Sequence, residues 1–178
     1  MKHIAQQIVL VLAVLALPFY QANAIEHYFN DMIASGDLQL TGENKIGASK
    51  NDGIKYVCKG AASFIYDGGL ELSLLNMPNQ YDTVTISPPM NKLSEILIWR
   101  NPSAPKTKSV GVAYSRDSIT WTDIPDDKMN YNSGSSVTVT LPVSAFYIRI
   151  YNPRSTGLKI KKITYTFLDC NCFTFMPE

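Results

Sequence analysis

Short segments in which apolar and polar side chains alternate run through most of this sequence, and residues 109–124 show the pattern most completely. Two alternating runs, 110–114 and 119–122, are separated by four polar residues. Side chains of a β-strand point alternately to opposite faces of a sheet, and a polar turn between two such runs fixes how they pair. The segment therefore predicts an antiparallel β-hairpin with one buried face.

The rest of the chain repeats this pattern, with Gly, Pro, Asn and Asp in nearly every gap between the runs. These residues favour turns because they accept or fix the backbone angles that turns need. Only residues 25–37 favour a helical turn or two, which Gly36 would end. About ten short strands at this spacing predict an all-β sandwich. The predicted strands are 38–40, 54–58, 61–66, 70–75, 83–87, 93–99, 110–114, 119–122, 137–141, 146–151 and 158–167.

The N-terminus has the three parts of a secretory signal peptide. Residues 2–3 are basic, residues 8–17 are almost wholly apolar, and residues 22–24 read Ala-Asn-Ala, which matches the small-x-small pattern before a cleavage site. We therefore expect residues 1–24 to be a signal peptide and the protein to be exported to the periplasm, the cell surface or the medium. The apolar run is shorter than the roughly 20 residues that a membrane-spanning helix needs, so we expect no membrane span.

Residues 25–178 then form the mature chain, whose length predicts a single β-sandwich domain with one substantial core. Removing the signal peptide takes away Lys2 and no acidic side chain, which leaves equal numbers of acidic and basic residues. A nucleic-acid binder needs a basic face to neutralise phosphates. The charge balance therefore argues against nucleic acid as a partner, and the lysines within 159–162 are expected on a solvated strand face.

The chain has three cysteines, Cys58, Cys170 and Cys172. An exported protein meets oxidising conditions, and three cysteines always leave one thiol over. A bridge within the Cys-x-Cys pair would close a small, strained ring, which favours Cys58 paired with either C-terminal cysteine. That bridge would add roughly 4 to 5 kcal/mol of stability in the chain-entropy model. A zinc site built on three thiolates is the less favoured alternative, since no fourth ligand is evident.

The hairpin also carries a recognisable motif. The pattern Val-x-Val-x-Tyr-Ser-x-Asp-x-x-x-Trp, from Val110 to Trp121, resembles the hairpin of discoidin-like (coagulation factor 5/8 type C) and related galactose-binding-like β-sandwich domains. The strands predicted at 146–151 and 158–167 are similar to those that end the jelly roll in these domains. The resemblance implies a jelly-roll sandwich, in which Trp121 packs against the sheet, and many such domains bind glycans on secreted bacterial proteins.

Two features depart from the pattern of that resemblance. Ser118 stands where a Gly is common in these hairpins, although Asp117 can tolerate the turn conformation or build a local Asx turn. The Cys-x-Cys ending is similar to that of exported proteins of Bacteroides-type bacteria. The motifs therefore indicate the fold more specifically than an activity.

Few side chains suit acid–base catalysis. His27 is the one histidine of residues 25–178, and the sequence has no motif of a serine hydrolase, a zinc peptidase, a phosphate-binding loop or a calcium loop. Glycoside hydrolysis needs only two carboxylates about 5 to 10 Å apart, and the many acidic residues between 67 and 127 single out no pair. We therefore expect no catalytic residue, and a small polysaccharide-active enzyme is the least favoured alternative.

Three strand ends combine an aromatic side chain with planar polar groups. A sugar site needs flat apolar surfaces for the C–H face of a pyranose and planar donors and acceptors for its hydroxyls. Two of these ends share an aromatic residue, Asn-Pro and Arg, and their loops would meet at one end of the sandwich if both strands run the same way. The predicted ligand-binding residues are Trp99, Arg100, Asn101, Tyr151, Asn152, Arg154 and Tyr66.

These residues predict an exported, non-catalytic carbohydrate-binding module that recognises a glycan through loop aromatics. The alternative is a protein-interaction or structural module of the cell envelope, which would have a protein partner and show a contiguous apolar patch. No cofactor is expected. A structural calcium at Asp52 or Asp67 would fit a sandwich loop, but ordinary Asp-Gly turns explain both positions more simply, so no metal ligand is assigned.

Overall fold

In the part of the chain that the structure describes, two antiparallel β-sheets of seven strands each are accompanied by one short α-helix. The predicted all-β sandwich is confirmed. The computed structural model describes eight segments of the chain, residues 23–65, 69–72, 82–87, 93–100, 110–132, 135–142, 145–153 and 158–167.

The strands are numbered in chain order and divide evenly between the sheets. The first sheet contains β1 (Asn23–Tyr28), β5 (Ser63–Ile65), β6 (Gly69–Leu72), β8 (Leu93–Arg100), β11 (Met129–Asn132), β12 (Ser136–Thr140) and β14 (Leu158–Phe167). The second sheet contains β2 (Leu38–Thr41), β3 (Ile46–Ser49), β4 (Lys55–Lys59), β7 (Thr83–Ser87), β9 (Gly111–Ser115), β10 (Thr122–Asp123) and β13 (Tyr147–Tyr151). Helix α1 (Phe29–Ser35) follows β1, and a 3₁₀ turn spans Asp126–Lys128.

The strand order is that of a jelly roll. In the first sheet β6, β14, β8 and β12 are neighbours in that order, and in the second sheet β7, β13, β9 and β10 are neighbours. The chain passes from one sheet to the other at almost every step from β6 to β14, which is how a double-sheet jelly roll is wound. The jelly roll implied by the resemblance is therefore confirmed, and the remaining strands extend the two sheets at their edges.

One hydrophobic core fills the space between the sheets. In β13, Ile148 and Ile150 are buried, and in β14 the inward residues include Ile160, Ile163 and Tyr165. The side chains between them point outward, because successive residues of a strand face opposite sides. β14 carries one irregularity, a shift of register against β8 between Ile160 and Lys162.

In the described residues, the predicted strands agree with the observed ones to within a few residues, except at β1, β3, β10 and β11. Strands 83–87 and 158–167 coincide with β7 and β14. Residues 25–28 belong to a strand, β1, so the predicted helix is confirmed only for α1, which Gly36 ends with a left-handed φ of 75°. β3 and β11 were not predicted, because the residues of β3 are mostly small and β11 contains two Asn that favour turns.

The hairpin forms, but its second strand starts later than predicted. The carboxylate of Asp117 accepts hydrogen bonds from the backbone N–H groups of Ile119 and Thr120, each at 2.8 Å. These bonds hold both residues in the turn, and Ile119 is 81% exposed. The prediction that 119–122 is a strand was therefore wrong for its first part, and β10 pairs with β9 only from Thr122.

Several other expectations fall wholly or partly outside the described residues. Cys170 and Cys172 lie outside them, so the disulfide with Cys58 stays a prediction; the predicted cleavage site after Ala24 falls inside β1. Cys58 is buried in β4, and this burial raises the pKa of its thiol to about 12. Among the helices that the structure describes, none is long and apolar enough to cross a bilayer.

Candidate functional site

Four of the seven predicted ligand-binding residues lie within the described structure. Trp99 points outward from β8 and is 36% exposed, and Tyr151 points outward from β13 and is half-buried. Arg100 and Asn152, which follow them, point inward and are almost fully buried, so neither offers a polar group to solvent. Their role as ligand contacts stays a prediction. The other three residues, Asn101, Arg154 and Tyr66, lie outside the described residues.

β8 and β13 end at the same end of the sandwich. The guanidinium carbon of Arg100 lies 6.0 Å from the ring centre of Tyr131, whose hydroxyl donates to the carbonyl of Val110 at 3.4 Å. The next residue, Gly111, pairs with Tyr151. The chain of contacts therefore joins the two strand ends, although the outward side chains of Trp99 and Tyr151 belong to different sheets and point away from each other.

Tyr151 packs closely on its own sheet. A Cβ at Gly111 would lie 2.2 Å from the Tyr151 ring, so only glycine leaves room for the ring at this position. The Tyr151 hydroxyl donates to Asp123 Oδ1 at 3.1 Å. Both contacts hold the ring against the outer face of the second sheet, which fits a structural role better than a ligand contact.

Trp121 packs against the same outer face, as the resemblance implies. The guanidinium carbon of Arg149 lies 3.8 Å from the centre of the Trp121 ring system, a cation–π contact. The indole N–H donates to the carbonyl of Ser118 at 3.1 Å. Burial lowers the pKa of Arg149, although the nearby carboxylate of Asp123 acts in the opposite direction. One face of the Trp121 ring is thus covered by Arg149 and closed to a ligand.

The outer face of the first sheet presents a different arrangement, formed by four side chains of β1, β14 and β8. Tyr28 pairs with Lys162, and Lys162 pairs with Trp99, so the three residues lie side by side across the strands. The ammonium group of Lys162 lies 4.6 Å from the ring centre of Tyr28 and 5.0 Å from that of Trp99. It also donates to Glu26 Oε1 at 2.8 Å. Glu26, Tyr28, Trp99 and Lys162 are called the aromatic platform below.

The charges of the platform are paired. A hydrogen bond from Lys162 is the largest effect on Glu26 and lowers the pKa of its carboxyl. Burial alone would lower the pKa of Lys162, but hydrogen bonds with Glu26 and Tyr28 outweigh it and raise that pKa. Both groups are therefore charged at neutral pH. The two rings stay open, because Tyr28 is 45% exposed and Trp99 is exposed to a similar degree.

Behind the platform, the inward residue of β1 anchors that strand in the core. His27 is buried, and its ring nitrogens contact Tyr56 Oη at 2.5 Å and Asp52 Oδ2 at 2.6 Å. Tyr56 Oη in turn lies 2.8 Å from Tyr165 Oη. The carboxylate of Asp52 accepts from the imidazole Nε2–H, and the hydroxyls of Tyr56 and Tyr165 continue the chain of contacts into the core.

This network faces the core and joins β1, the hairpin formed by β3 and β4, and β14. Tyr56 and Tyr165 are fully buried, so burial raises the pKa of both hydroxyls far above their usual range. Although His27, Asp52 and Tyr56 are residue types that serve in proton transfer, no substrate can reach the two tyrosines without opening the core. The arrangement is suited to holding β1 in place.

Of the two aspartates considered above for a structural calcium, Asp52 lies within the described residues. Asp52 Oδ1 accepts the backbone N–H of Ile54 at 3.0 Å, the Asx turn that an Asp-Gly sequence favours. Asp67 lies outside the described residues. In the part of the chain that the structure describes, no group of three or more His, Cys, Asp and Glu side chains is arranged to hold a metal ion.

The sequence signal for Trp99 was its place between a strand and a turn, and the structure places it on an open surface. Tyr28, Glu26 and Lys162 were not singled out, since β1 was not predicted as a strand and Lys162 was interpreted as part of a solvated face. A strand assignment for residues 23–28 would have placed Glu26 and Tyr28 on one face, because they are two residues apart.

No protein-family model matches the chain, and no curated protein matches it. Among solved structures, the chain is similar to CpGH89CBM32-6 produced by Clostridium perfringens, with 16% identity over 67% of this chain and 96% of that one, at a TM-score of 0.47. It is also similar to the K2 cleaved adhesin domain of Lys-gingipain, with 12% identity over 82% and 100% of the two chains, at a TM-score of 0.45. A third is the family 32 carbohydrate-binding module of C. perfringens NanJ in complex with galactose, with 12% identity over 82% and 93%, at a TM-score of 0.39.

Proposed function

We propose that this chain is an exported, non-catalytic carbohydrate-binding module that binds a glycan on the aromatic platform. The observation that carries the proposal is the exposure of two aromatic rings, Tyr28 and Trp99, on either side of a Lys–Glu ion pair. In this proposal residues 1–24 are the signal peptide and residues 25–178 form one domain. Export places the platform in the periplasm, at the cell surface or in the medium, where glycans are available.

The chemistry of the platform suits a sugar. The C–H face of a pyranose stacks on an exposed aromatic ring, and its hydroxyls need both donors and acceptors. Lys162, which already donates to Glu26 and to Tyr28, has a third N–H, and Glu26 supplies acceptor oxygens; the ammonium group lies 4.6 and 5.0 Å from the two ring centres. A rigid sheet holds these groups in fixed positions, which lowers the entropy cost of binding.

A glycan array probed with the purified chain tests this function. We expect specific binding to one class of glycan and a loss of about tenfold or more in affinity for Trp99→Ala, since truncated aromatic contacts of this kind cost on the order of 1 to 4 kcal/mol. Ile46→Ala is the matched control, because Ile46 is similarly exposed on the outer face of the other sheet.

Circular dichroism spectra of the variants exclude unfolding as the cause of any loss. Absence of binding to every glycan on the array would contradict the proposal. Equal binding by Trp99→Ala and the parent would place the site elsewhere, with the segments that contain Asn101 and Arg154 as the next regions to test.

A protein-interaction module is the second candidate, and one observation favours it. Ile46 and Val57 are cross-strand neighbours on β3 and β4, and both are partly exposed on the outer face of the second sheet. Two adjacent apolar side chains form only a small patch, whereas interaction surfaces usually span several hundred Å². This candidate predicts that Ile46→Asp weakens association with an envelope partner and leaves glycan binding intact.

A further inference from the structure

We propose that the platform binds the interior of a linear, uncharged glycan that lies across strands β1, β14 and β8, and does not select a chain end. This inference rests on the proposed function and specifies the class of ligand. The juxtaposition that carries it is a row of three outward side chains, Tyr28, Lys162 and Trp99, one from each strand.

The spacing of the rings sets the length of the ligand. Tyr28 and Trp99 stand on strands separated by two inter-strand distances, roughly 10 Å. A pyranose unit in an extended chain is about as long as one inter-strand distance, roughly 5 Å. Two rings at this separation therefore match alternate units of a glycan, and the unit between them lies over the Lys162–Glu26 pair.

The shape of the surface favours a chain interior. The ladder pairing of β14, β8 and β12 places Thr164, Leu97 and Ser136 next to the platform on the same face, and two of these three side chains are short. A site that selects a terminal sugar needs walls that enclose the ring and contact its outer hydroxyls. These three side chains form no such wall, so within the part of this face that the structure describes a glycan can continue past both rings.

The charge of the platform favours an uncharged ligand. Lys162 is already hydrogen-bonded to Glu26 and to the hydroxyl of Tyr28, at 2.8 and 3.0 Å. An acidic sugar over Lys162 would also approach the carboxylate of Glu26, which Lys162 contacts directly, and the two negative charges would repel each other. Hydroxyl groups can bond to both members of the pair without that cost.

The test is affinity as a function of chain length. Isothermal titration calorimetry of the full chain is run with linear β-1,4-linked oligosaccharides of glucose, mannose, xylose and galactose, each from one to six units. For the series that binds, we expect affinity to rise about tenfold or more between one and three units, as the second ring is covered, and to change little beyond. Oligomers of galacturonic acid are the acidic arm and should bind more weakly.

Tyr28 is the critical variant, because its exposed side chain can be changed without disturbing the core. Tyr28→Ala should lose the gain between one and three units and keep the affinity for a single sugar, whereas Tyr28→Phe should keep the gain. Ile46→Ala serves as the control. A monosaccharide that binds as tightly as the three-unit chain, or a Tyr28→Ala variant with unchanged length dependence, would overturn the inference while leaving glycan binding itself in place.

Absence of binding to all five series and to the array would overturn both the inference and the proposed function. Stronger binding to the galacturonic acid series than to the neutral ones would overturn the assignment of an uncharged ligand. The outcomes thus separate three statements: that the protein binds glycans, that the ligand spans both rings, and that it carries no charge.

Discussion

At the scale of single residues, the contact between His27 and Asp52 joins the first strand to the turn before β4. Burial alone would raise the pKa of Asp52, but the hydrogen bonds it accepts from the backbone of Ile54 and from His27 outweigh burial and lower that pKa. A carboxyl group whose pKa is lower in the folded than in the unfolded state stabilises the fold above its unfolded pKa. That stabilisation is lost as the pH falls through the folded value.

Asp52→Asn should therefore change how stability depends on acid. We expect the parent to lose free energy of unfolding as the pH falls below about 4, the ordinary value of an aspartate, and the variant to lose less over the same range. At neutral pH the variant should be less stable by about 1 to 2 kcal/mol, the size of a charge-assisted hydrogen bond. Urea unfolding followed by circular dichroism from pH 2 to 7 measures both effects.

Asp127→Asn is the control for that experiment, since Asp127 is exposed in the 3₁₀ turn. It removes one carboxylate, as Asp52→Asn does, and so controls for the change in net charge. A parent and an Asp52→Asn variant with parallel pH profiles would contradict the role assigned to Asp52.

Trp99 and His27 illustrate which site residues a sequence can disclose. Trp99 was predicted because an aromatic residue before an Asn-Pro turn is a local signal, and its exposure is a property of that strand end. The partners of His27 lie 25 and 29 residues away in the chain, so its anchoring role depends on packing between distant strands. A lone histidine near the start of a chain gives no local sign of such a network.

At the scale of single elements, the turn between β9 and β10 is stabilised by its side chains but strained at one position. Ser118 adopts a left-handed φ of 62°, which costs a residue with a Cβ roughly 1 kcal/mol or more. Ser118→Gly should therefore raise the free energy of unfolding by about 0.5 to 1 kcal/mol, after the greater flexibility of glycine in the unfolded chain is counted.

Chemical denaturation of the parent and Ser118→Gly measures this difference. Ser118→Ala keeps the Cβ and is the matched control, which should show no gain. Destabilisation by Ser118→Gly would indicate that the serine side chain, and not the backbone angle, decides stability at this turn.

Some strands could be predicted from the sequence with their exact bounds and others could not. β7 and β14 were predicted with their observed bounds because apolar and β-branched residues alternate along them. β1 was not, because its inward position at 27 is filled by a polar residue that only the network in the core makes acceptable. The late start of β10 was not predicted, because the hydrogen bonds of Asp117 compete with strand pairing and the alternation of apolar and polar residues gives no sign of them.

At the scale of the whole molecule, the predicted disulfide would connect β4 in the second sheet to the residues that follow β14 in the first. Mass spectrometry of unreduced peptides from the exported protein should find Cys58 joined to Cys170 or Cys172. Cys58→Ser should lower the free energy of unfolding by about 2 to 5 kcal/mol under oxidising conditions, the usual cost of a native disulfide.

The same substitution under reducing conditions is the control, because the bridge is then absent from the parent as well. Alkylation of Cys58 in the denatured, unreduced protein would contradict the pairing. In the folded and reduced protein, burial and the raised pKa of the thiol should make Cys58 slow to react with thiol reagents.

The pairing of β1 with β14 has a mechanical consequence for the molecule. The ladder begins with Asn23 opposite Phe167 and ends with Tyr28 opposite Lys162. Within residues 25–178 the first pair of this ladder is Ile25 opposite Tyr165, so a pulling force applied through residues 25 and 167 acts on one end of an antiparallel pair and opens its hydrogen bonds one after another. Because Glu26 and Tyr28 belong to β1, tension along the chain would separate the aromatic platform while the other strand pairs of the sandwich remain formed.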